Sequence, residues 1–383
     1  MPGGMENAFD IAIIGAGIAG ASLAATLAEG RRVLLLEQEG RPGYHTTGRS
    51  AAIYTETYGN APIRALTAAS RGFFETPPRG FCDHPLWHPI DTFLIGTENQ
   101  QEAVAALYAE VCSAPGVALV EGRDYEARMP LARPGVVRAA VRDGGSMALD
   151  VDALYRGWLR ALAAQGARLL TDAPVTGLAR KGGTWRLKTP AGAFTAAVVV
   201  NAAGAWADAV AGMAGARAQG LVPLRRTICV VPTPGGVATE GWPMSVDVEE
   251  NFYFKPESGG ILCSPADETP SAPCDASPEE IDIAIGIDRV QSVIDLPVKR
   301  IASKWAGLRT FAPDRTPVVG FDPGVEGFFW LAGQGGYGIQ TAPAMAAAAA
   351  GLIERGRLPD DLLARGLSEE VLAPGRVQTS GNA

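Results

Sequence analysis

Three glycines and one glutamate near the start of the chain have the spacing of a nucleotide-binding site. Gly15, Gly17 and Gly20 form the pattern Gly-x-Gly-x-x-Gly, and Glu37 follows later in the chain. In this pattern the first glycine permits a tight turn, the second leaves room for a pyrophosphate, and the third lets a helix pack closely on a strand. An acid at the position of Glu37 accepts hydrogen bonds from an adenosine ribose and repels a 2′-phosphate, which disfavours NADP. These residues predict that the chain binds a dinucleotide.

The elements around this loop are those that a dinucleotide site needs. Residues 11–14 are typical of an apolar strand, residues 18–29 of an alanine-rich helix, and residues 33–36 of a second strand. The diphosphate would lie against the free N–H groups and the positive end of the helix. We therefore expect the site to include Ile18, Ala19 and Gln38 as well.

The composition indicates an ordinary globular protein. The chain has 383 residues, long enough for two domains, and 47% of them are apolar and 19% charged. A net charge of −8 without a basic block argues against a nucleic-acid partner. No signal peptide and no apolar run long enough to span a membrane are visible, so we expect a soluble, cytoplasmic protein. The five cysteines are scattered without metal-ligand spacing, which predicts free thiols and no metal site.

Two further segments offer small residues where the backbone can approach a cofactor. Residues 40–59 form a long polar segment directly after the nucleotide-binding unit, and long loops are usually functional or disordered. Residues 198–201 are typical of a buried strand that ends in small residues and leads into a helix. The cofactor contacts expected from these two segments are Thr47, Gly48, Arg49, Ser50, Ala51, Ala203, Gly204 and Trp206. Val175 and Gly307 are further expected contacts outside them.

A second glycine-rich loop near the end of the chain distinguishes between cofactors. An apolar strand at residues 327–332 precedes the loop at 333–338, and a helix at 341–354 follows it. A nicotinamide-binding domain would be complete within the first third of the chain, and a methyltransferase needs no second loop of this kind. A positive helix end would stabilise the negative charge of a reduced isoalloxazine. We therefore predict FAD, stretched between the first loop and the last, with contacts from Gly333, Gly335, Gly336, Tyr337, Gly338, Ile339 and Gln340.

Several blocks of the sequence resemble one enzyme family along nearly the whole chain. The blocks GAGIAG (15–20), NAAGAW (201–206), WAGLR (305–309) and QGGYG (334–338) resemble the D-amino acid oxidase and glycine oxidase (DAO) superfamily of FAD enzymes. More closely, PGYHTTGRSAA (42–52) and FYFKP (252–256) resemble bacterial FAD-dependent D-arginine dehydrogenase. The resemblance implies oxidation of an α-amino acid to an imino acid, which water hydrolyses to a 2-oxo acid and ammonia.

The resemblance also implies the architecture. We expect an α/β protein in which a Rossmann-like FAD-binding domain of the glutathione-reductase type is interleaved with an α+β substrate domain built on an antiparallel sheet. The predicted FAD domain comprises residues 1–80, 146–220 and 305–370. The predicted substrate domain comprises residues 81–145 and 221–304, and residues 371–383 form a C-terminal tail.

Individual site residues follow from the same resemblance. Arg309 matches the family's carboxylate-binding arginine, whose planar guanidinium suits a carboxylate, and Tyr253 matches its phenolic partner. Tyr58 lies on a mobile loop and is expected to relay the proton that the substrate ammonium loses to water or hydroxide. None of the three histidines, His45, His84 and His88, is expected to act as a base. The expected substrate-binding residues are Ile53, Thr55, Thr92, Arg225 (one of a basic pair with Arg226), Gly336 and Gln340.

Two departures from the D-arginine enzymes predict a different substrate preference. Their glutamate that pairs with the substrate guanidinium is replaced by Thr92, and a histidine near their pocket is replaced by Ile53. Asp91 is adjacent, but neighbouring residues on a strand point to opposite faces, so it should not substitute for the glutamate. We expect neutral or apolar D-amino acids to be preferred over arginine and lysine, with Glu250 as the residue that argues against this.

Other functions remain open on the sequence alone. A related flavoenzyme that oxidises secondary amines, such as sarcosine, other N-alkyl amino acids or proline, would use the same arginine. A non-catalytic flavin-binding protein is a more distant alternative. The resemblance favours a dehydrogenase that passes electrons to a quinone or another acceptor, at a membrane surface or in solution, and leaves O2 open as an acceptor. No cysteine lies in residues 327–341, which predicts non-covalent FAD.

Overall fold

The computed structural model describes residues 7–377, and within them the chain forms 20 strands and ten α-helices. The strands are β1 (Ala8–Ile14), β2 (Val33–Leu36), β3 (Ile53–Tyr54), β4 (Trp87–Pro89), β5 (Thr92–Gly96), β6 (Val117–Glu121), β7 (Ala139–Asp143), β8 (Met147–Leu149), β9 (Arg168–Leu170), β10 (Gly177–Lys181), β11 (Thr184–Thr189), β12 (Gly192–Asn201), β13 (Val222–Val231), β14 (Met244–Asp247), β15 (Tyr253–Glu257), β16 (Gly260–Ser264), β17 (Thr269–Pro270), β18 (Ser303–Phe311), β19 (Val318–Phe321) and β20 (Phe328–Ala332). The helices are α1 (Ile18–Leu27), α2 (Ala61–Glu75), α3 (Gln101–Val111), α4 (Gly122–Glu126), α5 (Val151–Ala164), α6 (Ala207–Ala214), α7 (Glu280–Val293), α8 (Ala342–Arg355), α9 (Asp360–Ala364) and α10 (Glu369–Leu372).

The first sheet has eight strands and places the opening loop at its centre. Its main order is β10-β11-β12-β1-β2-β9, and β20 pairs with β12 on the side that also carries β19. The pairs of β1 with β2 and β12, of β2 with β9 and of β12 with β20 are parallel. Helices α1, α5 and α8 pack together over one face, where their apolar residues share a buried cluster with β1 and β2. The loop after β1 therefore lies at the carboxyl edge of a doubly wound sheet, where such sheets bind ligands.

The second sheet has nine strands and is mostly antiparallel. Its order is β17-β13-β16-β15-β14-β5-β7-β6, with β18 paired to β13, and only the pair of β14 with β5 is parallel among the described strands. Because β18 covers residues 303–311, the predicted domain boundary at 305 falls inside a strand of this sheet. The division of the chain into two domains stays a prediction. A small third sheet, β3-β8-β4, lies beside the polar segment that follows the nucleotide-binding unit.

Local predictions differ in their outcome. The amphipathic pattern of residues 61–75 predicts a helix, and α2 covers these residues, with Asn60 capping it by accepting a hydrogen bond from Ile63 N. The sequence SPEE at residues 277–280 has the pattern of a capping box and predicts a helix start at Ser277. This prediction is wrong, because α7 begins at Glu280 with Glu279 as its N-cap residue. Glu279 forms an ion pair with Arg225 of β13.

Three other expectations can be compared with the structure. All five cysteines are free, as predicted. In the described part of the chain, no helix is both long and apolar enough to cross a membrane. Of the predicted tail, residues 378–383 lie outside the described residues, whereas residue 372 still belongs to helix α10.

Candidate active site

Two cavities adjoin and share Ser50, Arg309, Gly336 and Ile339 in their walls. The larger cavity extends from the loop after β1 to the loop after β20, which are the two glycine-rich loops of the sequence. The smaller cavity lies between the segment at residues 50–58, the second sheet and the C-terminal loop. A long ligand in the larger cavity would therefore present one end to whatever occupies the smaller one.

Glycine geometry shapes the first end of the larger cavity. Gly15 has a φ of +102°, and a Cβ there would lie 2.4 Å from the carbonyl oxygen of Ala202. A Cβ on Gly20 would lie 1.9 Å from the carbonyl oxygen of Gly15, so α1 packs directly on the loop. Glu37, at the end of β2, accepts a hydrogen bond from Ala16 N at 2.9 Å, which holds its carboxylate in the cavity wall. This end suits an adenosine diphosphate, as the sequence predicts.

Unpaired polar atoms mark the other end of the larger cavity. Thr310 Oγ1 and Gln334 Nε2 are buried and have no hydrogen-bond partner within the described residues 7–377, and both residues line the cavity. Buried polar groups are normally hydrogen-bonded, so these two call for a polar ligand. An isoalloxazine, with its carbonyl and ring-nitrogen acceptors and its N–H donor, supplies such a ligand. The residues present therefore fit FAD.

The structure places the predicted cofactor residues in three groups. Sixteen line the larger cavity: Gly15, Gly17, Ile18, Ala19, Glu37, Gln38, Thr47, Ser50, Val175, Ala203, Gly204, Trp206, Gly335, Gly336, Gly338 and Ile339. Ala51 and Gln340 line only the smaller cavity. The other six line neither cavity: Gly20, Gly48, Arg49, Gly307, Gly333 and Tyr337.

Arg49, one of these six residues, stabilises the cavity wall through its hydrogen bonds. Its guanidinium donates to the carbonyl oxygens of Ala276 at 2.9 Å and Ala306 at 2.8 Å, and it pairs with Asp275. These bonds tie the polar segment at residues 40–59 to the second sheet. The hydroxyl of Thr47, in the same segment, accepts a hydrogen bond from Ile18 N at the start of α1.

Arg309 is the central cation of the smaller cavity. It is only 6% exposed and donates a hydrogen bond to the carbonyl oxygen of Arg49 at 3.1 Å, and it forms no ion pair with any residue among 7–377. Burial, together with the positive charge of Arg226, lowers the pKa of Arg309 from its usual value. A buried cation without an internal acid is costly, so the site favours an anionic ligand.

Two tyrosines face the same cavity. Tyr253, at the start of β15, and Tyr58 both line it. Burial and then the neighbouring Glu250 raise the pKa of Tyr58 well above its usual value, so the side chain stays a neutral phenol. A Cβ on Gly336 would lie 3.5 Å from the Tyr58 hydroxyl, so the glycine keeps the space in front of this phenol open.

A second arginine of the cavity is Arg226 rather than the predicted Arg225. Arg225 does not line the cavity, because its side chain pairs with Glu279 and with Asp282 at 2.8 Å on the other face of the sheet. In the register of β13 with β18, Leu224 pairs with Arg309, and Arg226, two residues further along β13, pairs with Gly307. Strand alternation therefore places Arg226 on the face of Arg309. This register was the signal that sequence reasoning lacked.

Arg226 is held rigidly. Its guanidinium donates to the carbonyl oxygen of Asp267 at 2.9 Å and to Glu268 Oε1 at 3.0 Å. Burial opposes its charge, but its acidic and phenolic neighbours raise the pKa of Arg226 overall. Glu250 lines the same part of the cavity, and burial raises the pKa of its carboxyl despite the nearby charges of Arg226 and Arg315. Glu250 therefore belongs to the arginine end of the cavity.

The rest of the wall of the smaller cavity is mainly apolar. Alternate residues of β5 and β14, which belong to the same sheet as the two arginines, line it together with Ile53 and Ala266. Thr92 is part of this wall, and its buried hydroxyl has no hydrogen-bond partner among residues 7–377. Asp91 points to the other face, as predicted, where it pairs with Arg142 at 2.9 Å and Arg128 at 2.7 Å. The remaining lining residues that sequence reasoning missed are Ala52, Thr57, Leu94, Met244, Val246 and Ala266.

Thr55 and Gln340 line the cavity, but their polar groups are engaged inside the protein. The Thr55 hydroxyl lies 2.7 Å from Asp143 Oδ2, and its backbone N–H donates to Gln340 Oε1 at 3.2 Å. Gln340 Nε2 donates to Thr67 Oγ1 at 2.9 Å. These two side chains therefore shape the wall rather than offer free hydrogen bonds to a ligand.

A cavity that suits a dinucleotide, joined to a small cavity with an unpaired arginine in its wall, is the arrangement that a flavin-dependent oxidoreductase of small molecules needs. The family model described as "FAD dependent oxidoreductase" (DAO) matches residues 10–352 of the chain. The chain belongs to this family, and its cofactor is FAD. That the FAD is held without a covalent bond stays a prediction.

Relatives in the family act on small amines and amino acids, to judge from their names. Human mitochondrial dimethylglycine dehydrogenase is 29% identical over 265 residues, which are 64% of this chain and 30% of that protein. Glycine oxidase of Geobacillus kaustophilus (strain HTA426) is 24% identical over 381 residues, which are 96% of this chain and 98% of that protein. The chain thus spans less than a third of the human relative. Together with the family match, these similarities show an FAD-dependent oxidoreductase of the DAO family.

Solved structures share the fold. The crystal structure of glycine oxidase from Geobacillus kaustophilus matches with a TM-score of 0.83 and 20% identity, covering 97% of this chain and all of that one. Iminodiacetate oxidase from Chelativorans sp. BNC1 matches with a TM-score of 0.80 and 20% identity, covering 95% of this chain and 98% of that one. The predicted fold class is therefore confirmed.

Proposed function

We propose that the protein catalyses FAD-dependent oxidative deamination of D-amino acids with neutral side chains. The observation that carries this proposal is the buried Arg309, which has no acid partner among residues 7–377 and faces a cavity next to the FAD site. A substrate carboxylate supplies the missing anion. The mainly apolar remainder of the cavity wall suits a side chain without charge.

The residues of the smaller cavity would act mainly by orientation. Arg309, Arg226 and Tyr253 would hold the carboxylate, with the Tyr58 hydroxyl, a neighbour of both arginines, as a further donor to it. This fixes the position of the substrate Cα toward the larger cavity. When bound, FAD accepts the hydride that leaves Cα. No histidine lines the smaller cavity among the described residues, so the ammonium proton would pass to water or hydroxide beside the neutral phenol of Tyr58.

Replacing Tyr58 tests this role. We expect Tyr58→Phe to lower kcat/KM about 10- to 100-fold, the usual effect of losing a hydrogen bond to a charged group. Because the raised pKa keeps Tyr58 protonated below about pH 10, its usual value, the variant should retain the wild-type shape of the pH profile from neutral pH up to that point. If the fall of kcat/KM toward low pH disappeared in the variant, Tyr58 would instead be the group whose titration causes that fall.

The D configuration and the neutral side chain rest on different supports. The D configuration rests on the resemblance of residues 42–52 and 252–256 to D-arginine dehydrogenases. The neutral side chain rests on Thr92 and Ile53, which stand in the wall where those enzymes have a glutamate and a histidine. The electron acceptor of the proposed dehydrogenase is a quinone or another carrier, with O2 as the alternative.

Oxidation of secondary amines is a second candidate function. The relatives named for iminodiacetate, a secondary amine, and for dimethylglycine, a tertiary amine, favour it, because both compounds are glycines that carry their substituents on nitrogen. Such substrates place the same carboxylate on Arg309 but extend from nitrogen instead of from Cα.

Anaerobic flavin reduction separates these candidates. The purified holoenzyme would be mixed with D-Met, D-Leu, D-Phe, D-Arg, their L enantiomers, sarcosine, N,N-dimethylglycine and iminodiacetate, and bleaching of the oxidised flavin absorbance would be recorded. We expect the neutral D-amino acids to reduce the flavin fastest, by at least about tenfold over D-Arg. Faster reduction by the N-substituted glycines or by L enantiomers would replace the proposal. Admission of air then shows whether O2 reoxidises the flavin.

A further inference from the structure

A fully buried carboxylate lies behind the wall of the smaller cavity. Asp143, the last residue of β7, is 2% exposed and has no ion pair among residues 7–377. Burying an unpaired carboxylate is costly unless hydrogen bonds compensate it. Its Oδ1 accepts from Gly145 N at 2.9 Å, while its Oδ2 faces the segment at residues 55–58.

Two threonines of that segment converge on the same oxygen. The hydroxyls of Thr55 and Thr57 lie 2.7 Å and 3.0 Å from Asp143 Oδ2, and 2.8 Å from each other. Both threonines line the cavity and are buried. Asp143 belongs to the second sheet, whereas the threonines belong to the segment that leads from the polar loop into α2. The cluster therefore fixes this segment to the second sheet.

The same segment carries Tyr58 directly after Thr57. Its other anchor is Gln340, which binds Thr55 N and connects the segment to the C-terminal loop. The Tyr58 ring meets the Tyr337 ring edge to face, with centroids 4.8 Å apart. The position of the phenol thus depends on anchors at Thr55 and Thr57, immediately before Tyr58 in the chain, and Asp143 is the anchor that carries charge.

We propose that Asp143 is a positioning residue that holds the Tyr58 hydroxyl at the carboxylate-binding end of the cavity through Thr55 and Thr57. A buried carboxylate holds the two threonines firmly, because hydrogen bonds to a charged acceptor are roughly twice as strong as those between neutral groups. The inference rests on the proposed role of the cavity in binding a carboxylate. It does not depend on the configuration or side chain of the substrate.

A double-mutant cycle tests this inference without turnover. The holoenzyme and the variants Asp143→Asn, Tyr58→Phe and Asp143→Asn/Tyr58→Phe would be titrated with 3-methylbutanoate, an unreactive carboxylate, and the dissociation constant read from the change in flavin absorbance. We expect each single substitution to weaken binding about tenfold and the double variant to be no weaker than Tyr58→Phe within about twofold. Multiplicative losses would show that Asp143 acts independently of Tyr58 and would overturn the proposal, as would a Tyr58→Phe variant with wild-type affinity.

Controls separate positioning from folding. Ser146→Ala removes a buried hydroxyl that has no hydrogen-bond partner in the described part of the chain, and Ser146 lines neither cavity, so the substitution should leave the dissociation constant unchanged. Thr57→Val keeps the side-chain volume but deletes one hydroxyl, and it should reproduce the Asp143→Asn effect. The same cycle on the rate of flavin reduction should give the same pattern. If no amine or amino acid reduces the flavin, the proposed function fails, while the carboxylate titration still decides the role of Asp143.

Discussion

Replacing Arg309 with lysine is expected to lower kcat/KM by roughly 100- to 1000-fold, the loss that follows when a buried, charge-assisted pair is broken. Arg309 is buried and faces the smaller cavity without an acid partner in the described chain. A guanidinium presents two parallel N–H donors to a carboxylate, whereas an ammonium presents a point charge and is more strongly hydrated. The loss should appear as weaker substrate binding and slower flavin reduction, because a loosely held carboxylate no longer fixes Cα. Stopped-flow reduction over a range of substrate concentrations measures both.

The adjacent pair on β13 supplies matched controls for this prediction. Arg225→Lys alters an arginine on the opposite face that pairs with Glu279 and Asp282, so kcat/KM should stay within about twofold. Arg226→Lys alters the arginine inside the cavity, and its kcat/KM should lie between those of Arg225→Lys and Arg309→Lys, since Glu268 still holds the positive charge there. Equal losses at residues 225 and 309, or an Arg309→Lys enzyme within tenfold of wild type, would remove Arg309 from the carboxylate site.

The contrast between Arg225 and Arg226 shows where sequence reasoning ends. Arg309 could be found because it belongs to a block of residues with a recognisable spacing. The choice between two neighbouring arginines depends on the register of β13 against β18, and a shift of one residue reverses the face of every side chain. Registers between strands far apart in sequence are set by tertiary packing, which a local pattern does not contain.

Asp143 illustrates the same limit for supporting residues. Its neighbours in sequence, Arg142 and Gly144, give no sign of function, and its partners Thr55 and Thr57 lie far away in the chain. By contrast, the glycine-rich loops were predictable because their conformations are local: a positive φ or a close backbone approach requires glycine whatever the rest of the fold does. The false capping box at Ser277 is the converse case, in which a local pattern gave way to the long-range ion pair of Glu279 with Arg225.

Replacing Gly20 with alanine is expected to yield protein with little bound FAD. The new Cβ would lie 1.9 Å from the backbone carbonyl oxygen of Gly15, and neither β1 nor α1 can move away without leaving its buried packing. The start of α1 would then no longer face the pyrophosphate. We expect the dissociation constant for FAD to rise at least about 100-fold, equivalent to roughly 2.7 kcal/mol. Flavin absorbance per polypeptide and titration of the apoprotein with FAD measure this change.

Substitutions at other glycines are expected to weaken FAD binding less, and they serve as controls that separate loss of FAD from unfolding. Gly17→Ala should raise the dissociation constant less, by about tenfold. Its Cβ would take up space that this position leaves for the pyrophosphate, but the nearest protein atom is the Thr47 hydroxyl at 3.3 Å, and that side chain can give way. Gly72→Ala, on an exposed position of α2 with nothing within 4 Å, should keep full FAD content and stabilise the helix by about 0.5–1 kcal/mol. Circular dichroism of the Gly20→Ala apoprotein should match that of wild-type apoprotein. A Gly20→Ala protein that retains its flavin would show that the close contact between the loop and α1 does not hold the cofactor site together.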